Sequence, residues 1–253
     1  MRVLASYNIK GGVGKTSTAV NLAYLAARSG ARTLLCDLDP QGAATYCFRI
    51  KPRVKGGGKT LVRGKRPLTR HIRATDYEGL DLLPADVSYR HLDRILDGPD
   101  RATRLARRIR PLADHYDYLF LDCAPGLSLV AEAVFGFADA LLVPTIPTPL
   151  SLRTLKQLAR HLRRGRLAVR VFPFFSMVDV RKRLHRTICD AADQMRIPML
   201  ATRVPYSSDV EQMSSRRAPL ASFSTTRPAA RAYAELWAEL ETRLSDQRPK
   251  IGP

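Results

Sequence analysis

Along the chain, short apolar runs alternate with stretches whose apolar residues recur every three or four positions. The runs Val3–Tyr7, Thr33–Asp37, Leu80–Pro84, Tyr118–Asp122, Ala140–Pro144 and Ala168–Phe175 predict strands, several of them apolar at nearly every position. The periodic stretches Thr16–Ser29, Ser88–Leu96, Arg101–Ala113, Leu150–Arg164, Leu184–Gln194 and Ala229–Leu244 predict helices. Strands alternating with helices imply an α/β fold, a mostly parallel central sheet with helices on both faces. With no internal repeat and no long linker, one domain over 1–253 is expected.

Two stretches qualify this pattern. From Arg49 to Arg73, "RIKPRVKGGGKTLVRGKRPLTRHIR" is rich in lysine and arginine and contains no acid. Its three consecutive glycines and two prolines argue against a long helix. It reads either as a solvated, mobile insertion or as a basic hairpin or flap that meets the phosphates of a nucleotide or of DNA. The final helical stretch places Tyr233, Leu236, Trp237, Leu240 and Leu244 on one side. That stripe reads as core packing rather than a membrane foot, because its polar side carries glutamates where anionic lipid favours cations. The following "SDQRPKIGP" cannot continue an apolar face, and no apolar run reaches the roughly 18–20 residues a spanning helix needs. The first residues, too short and too quickly polar for a signal peptide, read as a strand.

Charge and cysteine content narrow the classes further. Lysines and arginines number 42 against 23 acids, a formal charge of +19. Such an excess points to a polyanionic partner, nucleic acid or an acidic membrane. The four cysteines, Cys36, Cys47, Cys123 and Cys189, form no CxxC pair, which speaks against a metal or cluster site and against a disulfide framework. Cys36 and Cys123 lie in apolar runs and read as buried thiols of a reducing, cytoplasmic environment.

The chemistry concentrates in "YNIKGGVGKTS", Tyr7 to Ser17. A strand that ends in a glycine-rich turn and opens a helix aims backbone N–H groups and a helix N-terminus at one point, where phosphate binds. Gly11, Gly12 and Gly14 allow close approach, Lys15 is placed for the β- and γ-phosphates, and the Thr16 hydroxyl is placed for Mg2+. The usual phosphate-loop pattern, however, asks for glycine at position 9, and Ile9 stands there, beside a second lysine, Lys10. Three acids accompany the loop. Asp122 ends a predicted strand, as a carboxylate holding a metal through water does. Asp37 and Asp39 end the neighbouring one in "LLCDLDPQGAAT".

With those motifs in view, the sequence resembles the ParA/MinD family of deviant Walker ATPases. "KGGVGKTS" (Lys10, Gly11, Gly12, Val13, Gly14, Lys15, Thr16, Ser17), "DLDPQG" and "FLDCAP" match the family's nucleotide motifs in order. The likeness extends to "ADALLVPTIPTPLSLRTL" and "VPYSSDVEQM", nearly the whole chain. In that family the loop reads KGGxGK[ST], so Ile9 is no defect. The resemblance implies ATP and Mg2+ as cofactors and an ATP-bound homodimer in which Lys10 crosses to the partner's phosphates. It implies Asp39 as the residue that orients the attacking water, Asp37 beside the metal or switch, and 122–125 as a second switch. For the base it implies Ser176, where the family often has asparagine, with Pro205 and Tyr206 as neighbours. The family's ParA-like branch binds nonspecific DNA. That branch fits the basic composition better than the membrane-binding MinD-like branch, which anchors through a C-terminal helix. The iron–sulfur relatives that share this loop need cysteines this chain lacks. The expected function is therefore a nucleoid-associated ATPase that positions a plasmid, chromosome or protein assembly, stimulated by a ParB-like or cargo-adaptor protein. The alternatives are a nucleotide-dependent regulatory binding switch or a MinD-like membrane-associated positioning ATPase. Candidate DNA contacts are Arg49–Arg73, Arg181-Lys182-Arg183 and Arg216-Arg217.

Overall fold

The computed structural model describes residues 1–98, 100–195 and 197–245. The tail beyond Ser245, read above as unable to extend an apolar face, lies outside the described residues. Eight strands form one sheet: β1 Arg2–Ser6, β2 Thr33–Asp37, β3 Arg73–Ala74, β4 Leu80–Leu83, β5 Tyr118–Asp122, β6 Ala140–Thr145, β7 Arg170–Val178 and β8 Arg203–Pro205. Their order is β3-β4-β2-β5-β1-β6-β7-β8, parallel throughout except for the edge pair β3–β4. The helices are α1 Lys15–Arg28, α2 Ala43–Cys47, α3 Gly57–Arg63, α4 Leu92–Leu96, α5 Arg101–Ile109, α6 Leu129–Phe135, α7 Pro149–Arg164, α8 Arg183–Asp190, α9 Ser208–Arg216, α10 Leu220–Phe223 and α11 Pro228–Ser245.

Successive strand side chains leave opposite faces, and the core divides accordingly. Val3, Ala5, Leu34, Cys36, Leu119 and Leu121 join one apolar cluster, with α4, α5, α6 and α7. Leu4, Leu35 and Phe120 join the other, with α1 and α11. Because both faces are covered, these strands lack the apolar–polar alternation of a half-wet sheet. The α11 stripe of Tyr233, Leu236, Trp237, Leu240 and Leu244 is buried in that second cluster, and Trp237 meets the Tyr118 ring edge-on at 5.2 Å. Each such aliphatic side chain contributes about 1.5–3 kcal/mol by leaving water, so the stripe is bound to the core. Among the described residues no helix is long and apolar enough to cross a membrane.

Several boundaries differ from expectation for local reasons. The helix expected over Arg101–Ala113 ends at Ile109 and continues as a 3-10 turn through Asp114. Pro111 supplies no N–H for the α-helical bond there. Ser88–Leu96 splits into a 3-10 turn, Val87–His91, and the short α4. Leu184–Gln194 likewise ends as an α-helix at Asp190. Strands β3 and β8, and helices α2, α3, α6 and α10, are too short to leave a periodic trace, and the nine-residue α9 buries only Met213 and so shows no apolar stripe.

The basic segment 49–73 is neither a loose loop nor a hairpin. It carries α3, and Val54, Leu61, Val62 and Leu68 are buried in the first cluster. Its glycines permit close docking: a Cβ on Gly57 would collide with the Ser88 hydroxyl, and one on Gly58 would stand 2.8 Å from Leu92. Buried Asp86 accepts the Val54 N–H at 2.8 Å and fixes the segment to the turn after β4. The apolar anchors are spaced through a run of cations, which is why composition made the segment look solvated.

Candidate nucleotide site

The C-terminal ends of β1, β5 and β2 lie side by side, with Ser6 paired to Asp122 and Asp122 to Asp37. Ligands in open α/β sheets bind at this edge. The glycine-rich loop leaves β1 here and turns into α1. Gly12 and Gly14 have φ of 68° and 93°, the left-handed region that glycine enters freely. A Cβ at Gly14 would also stand 3.0 Å from the Ser176 hydroxyl. Ile9 is not among the positive-φ positions and packs against the first core cluster, so nothing there calls for glycine. With no acid in its first turn, α1 opens as an electropositive end facing the loop.

The loop is held by polar residues that motif matching did not single out. Asn8, buried, donates to the Pro144 carbonyl at 2.8 Å and accepts the Lys10 N–H at 2.9 Å. Ser6 donates its hydroxyl to the Lys15 carbonyl at 2.8 Å. Tyr7 donates to the Gly126 carbonyl at 2.9 Å, while the Gly126 N–H donates to the Ile9 carbonyl at 3.1 Å. The segment 122–126 is thereby clipped to the loop. The available signal was the polar end of an apolar strand: Ser6, Tyr7 and Asn8 follow Val3-Leu4-Ala5.

Lys15 lies over its own loop, with Nζ donating to the Lys10 carbonyl at 3.3 Å. Burial lowers its pKa, against the opposing pull of Asp122 and Asp39. Lys10 differs. Its backbone is pinned by Asn8, while its ammonium has no hydrogen-bond or ion-pair partner among the described residues.

The three acids differ as well. Asp122 is fully buried, and neither carboxylate oxygen has a hydrogen-bond partner. Burial and then Asp37 push its pKa well above the usual carboxylate range, while the neighbouring Thr16 hydroxyl and Lys15 pull it down. A buried, unpartnered carboxylate beside a hydroxyl and an ammonium suits a cation with its waters. No group of three or more His, Cys, Asp or Glu among the described residues makes a metal cage. Mg2+ needs none, since it is held by one or two protein groups together with phosphates and water. The residues present therefore fit Mg2+ bound with a nucleotide.

Asp37, expected beside the metal, is committed elsewhere. Its Oδ2 accepts the Thr45 N–H at 2.8 Å and the Thr45 hydroxyl at 2.7 Å, and Oδ1 accepts the Asp39 N–H at 3.2 Å. Burial pushes its pKa up to about 6 despite those bonds. Thr45 Oγ1 in turn accepts the Ala85 N–H at 2.8 Å. Asp37 therefore holds the loop that carries Asp39 and ties it to the end of β4. Asp39 is half-buried, and its Oδ1 accepts the Gln41 N–H at 2.9 Å.

On the other side of the loop, Gly14, Ser17, Ser176, Pro205 and Tyr206 line one narrow cleft of about 40 Å³. These residues, distant in sequence, meet because β7 and β8 end beside α1. Small-molecule sites occupy roughly 300–1,000 Å³, so this cleft alone is too small to enclose a ligand. Tyr206 is exposed there and donates its hydroxyl to Glu211 at 2.8 Å.

Comparison with known proteins agrees with this geometry. The family model AAA_31, an AAA domain, matches residues 1–170. The chain is 28% identical to the chromosome partitioning protein ParA of Myxococcus xanthus, over 98% of this chain and 91% of that protein. A putative plasmid partition protein of Borrelia burgdorferi, solved with AMPPNP, superposes with a TM-score of 0.83 at 19% identity, over 96% of this chain and 99% of that one. A cobyrinic acid a,c-diamide synthase of Mycobacterium smegmatis, solved with ADP and magnesium, gives a TM-score of 0.80 at 26% identity over 100% of both chains. With a strand-to-helix glycine-rich loop, a buried, unpartnered aspartate at the adjoining strand end and these matches along its length, the chain belongs to the ParA/MinD family of P-loop ATPases.

Proposed function

We propose that this ATPase closes as a homodimer on Mg-ATP, binds DNA without sequence preference in that state, and positions or segregates a cargo at the nucleoid, with turnover stimulated by a partner protein. The observation that carries the reading is the contrast between the two loop lysines. Lys15 is folded into its own loop, while Lys10 is fixed at the backbone and keeps an unpartnered ammonium. A flexible stem with a compact charge suits reaching phosphates on a second subunit.

In this reading the N–H groups of 11–16 and Lys15 hold the β- and γ-phosphates. Thr16 and Asp122 would hold Mg2+, which when bound would neutralise charge on those phosphates. Asp39 orients the attacking water, Asp37 and Thr45 hold Asp39's loop in place, and Ser17, Ser176, Pro205 and Tyr206 border the base. The segment 122–126, tied to the loop through Tyr7 and Ile9, is the second switch.

The charge of +19 supports a polyanionic partner. Two of the basic stretches meet, since Arg49, itself paired with Asp76 at 2.9 Å, donates to the Arg216 carbonyl at 3.2 Å and Arg217 lies over the Tyr46 ring at 4.4 Å. Arg181 is paired with Asp179, which weakens its stretch as a candidate. Dimerisation would double the cations facing one duplex.

The test is duplex-DNA binding by the full chain in Mg-ATP and in Mg-ADP across a salt series. ATP-selective binding, indifferent to sequence, whose log affinity falls about 0.9 per phosphate contacted against log salt, is expected. Absence of DNA binding in Mg-ATP at low salt removes the nucleoid reading and leaves a nucleotide-dependent partner switch.

A further inference from the structure

The basic segment encloses a groove that the nucleotide site does not use. It has a volume of about 710 Å³ and lies between 53–63 and 86–95, walled by Arg53, Lys55, Lys59, Arg63 and Arg94. Five cationic residues, each exposed, thus border one open volume with a single carboxylate, Asp86, in its wall. Asp86 makes no ion pair with any of them; against the raising effect of burial, its bonds to Ser88 and Val54, helped by the Arg53 charge, hold its carboxyl below the usual range. Its Oδ1 accepts the Ser88 N–H at 2.9 Å and the Ser88 hydroxyl at 2.6 Å, and its Oδ2 accepts the Val54 N–H. Arg63 donates to the Ile95 carbonyl at 3.0 Å, and none of the five makes an ion pair among the described residues.

A solvated charged face spreads its cations outward to lower their mutual repulsion. Here docking of Val54, Leu61 and Val62 into the core holds the cations around a concavity. The only apolar side chains of its wall are Val54 and Ile95, so a ligand would be held by charge and hydrogen bonds rather than by apolar burial. The volume falls within the roughly 300–1,000 Å³ of small-ligand sites. Guanidinium forks pair with phosphate oxygens two at a time, and lysines add point charges, a donor set matched to several linked phosphates.

We propose that this groove is a second phosphate-binding site, separate from the ATP loop, for a run of linked phosphates held by Arg53, Lys55, Lys59, Arg63 and Arg94. The linked phosphates come either from a free polyphosphate-bearing molecule or from a nucleic-acid backbone. The site stands whether or not the DNA reading above holds.

The experiment measures inorganic tripolyphosphate binding by calorimetry on the full chain carrying Lys15→Ala, without Mg2+, so that the ATP loop contributes little. In that background Lys55→Gln, Lys59→Gln and Arg94→Gln together are compared with Arg28→Gln, Arg164→Gln and Arg231→Gln, which remove the same charge from exposed helical positions that line none of the described pockets. The groove triple should weaken binding by about tenfold or more, the worth of one charge-assisted contact, and the control triple by less than about threefold. Equal weakening by both triples, or no tripolyphosphate binding before either is introduced, overturns the proposal. Duplex DNA then separates the sources in an otherwise wild-type chain with Mg-ATP. Parallel loss of DNA binding in the groove triple assigns a nucleic-acid backbone, and retained DNA binding assigns a free phosphate ligand.

Discussion

Replacing Asp122 by asparagine should make the nucleotide-free protein more stable and the nucleotide-bound protein less so. The carboxylate is fully buried, and no well-formed hydrogen bond reaches either oxygen, the Thr16 hydroxyl being only a neighbouring donor. A buried acceptor without a partner costs about 1–3 kcal/mol, and more when charged. Lys15 and Thr16 offset part of this, so a gain of about 1–3 kcal/mol is expected for the isosteric, neutral amide. For a chain of this size each kcal/mol moves the melting temperature by about 2–4 °C, so Asp122→Asn in EDTA should melt roughly 2–12 °C higher than wild type. Its pH dependence has a definite sign. A folded-state pKa raised above the unfolded value means the folded chain holds the extra proton, so wild-type stability falls as pH rises from the ordinary carboxylate pKa. The variant should lack that part of the fall. With Mg-nucleotide at about 100 times its Kd, wild type should gain about 2.7 kcal/mol, and the variant clearly less because its metal ligand is gone. Thermal unfolding followed by circular dichroism, with and without Mg-ADP, reads both arms. A nucleotide-free variant no more stable than wild type would refute the claim that this carboxylate is held at a cost to the fold. Equal stabilisation of both proteins by Mg-ADP would remove Asp122 from the metal site.

Three further perturbations separate the remaining roles. Lys15→Ala should abolish ATP binding measured by calorimetry, whereas Lys10→Ala should bind ATP and fail to dimerise in sizing experiments; a Lys10→Ala chain that dimerises normally once saturated defeats the cross-subunit role. Asp39→Ala should bind ATP and dimerise but not turn it over, and normal phosphate release would take this aspartate out of the chemistry. Thr45→Val removes a donor from Asp37 and the acceptor of the Ala85 N–H, so it should cost about 1–3 kcal/mol in denaturant unfolding. Since Asp37 has its pKa raised to about 6, its proton favours the folded state and stability falls as pH rises toward that value. Thr45→Val should extend the fall to higher pH, and an unchanged pH profile would show that Thr45 does not hold the charge.

Much of this protein is local enough to be legible along the chain. Strand β2 and strand β5 fall where their apolar runs place them, because a strand buried on both faces cannot conceal its composition. The phosphate loop is equally legible, since its geometry depends on glycines and a lysine within a few residues of each other. Asp122 is legible as the acid that ends an apolar strand. Other features depend on contacts between distant positions and leave no pattern in either neighbourhood. Asp37 ends its strand just as Asp122 does, yet Thr45 and the Asp39 N–H bond its two oxygens, so similar sequence settings yield a loop anchor and an unpartnered carboxylate. Ser176, Pro205 and Tyr206 reach the loop because parallel pairing lays β7 beside β6 and β8 beside β7, and no local preference encodes that proximity. In the segment 49–73, composition reports a cationic run, but four buried side chains dock it and turn its charges around a groove. Local chemistry names the groups that can act; burial and long-range pairing choose which carry an unpartnered charge and which are held in place by their neighbours.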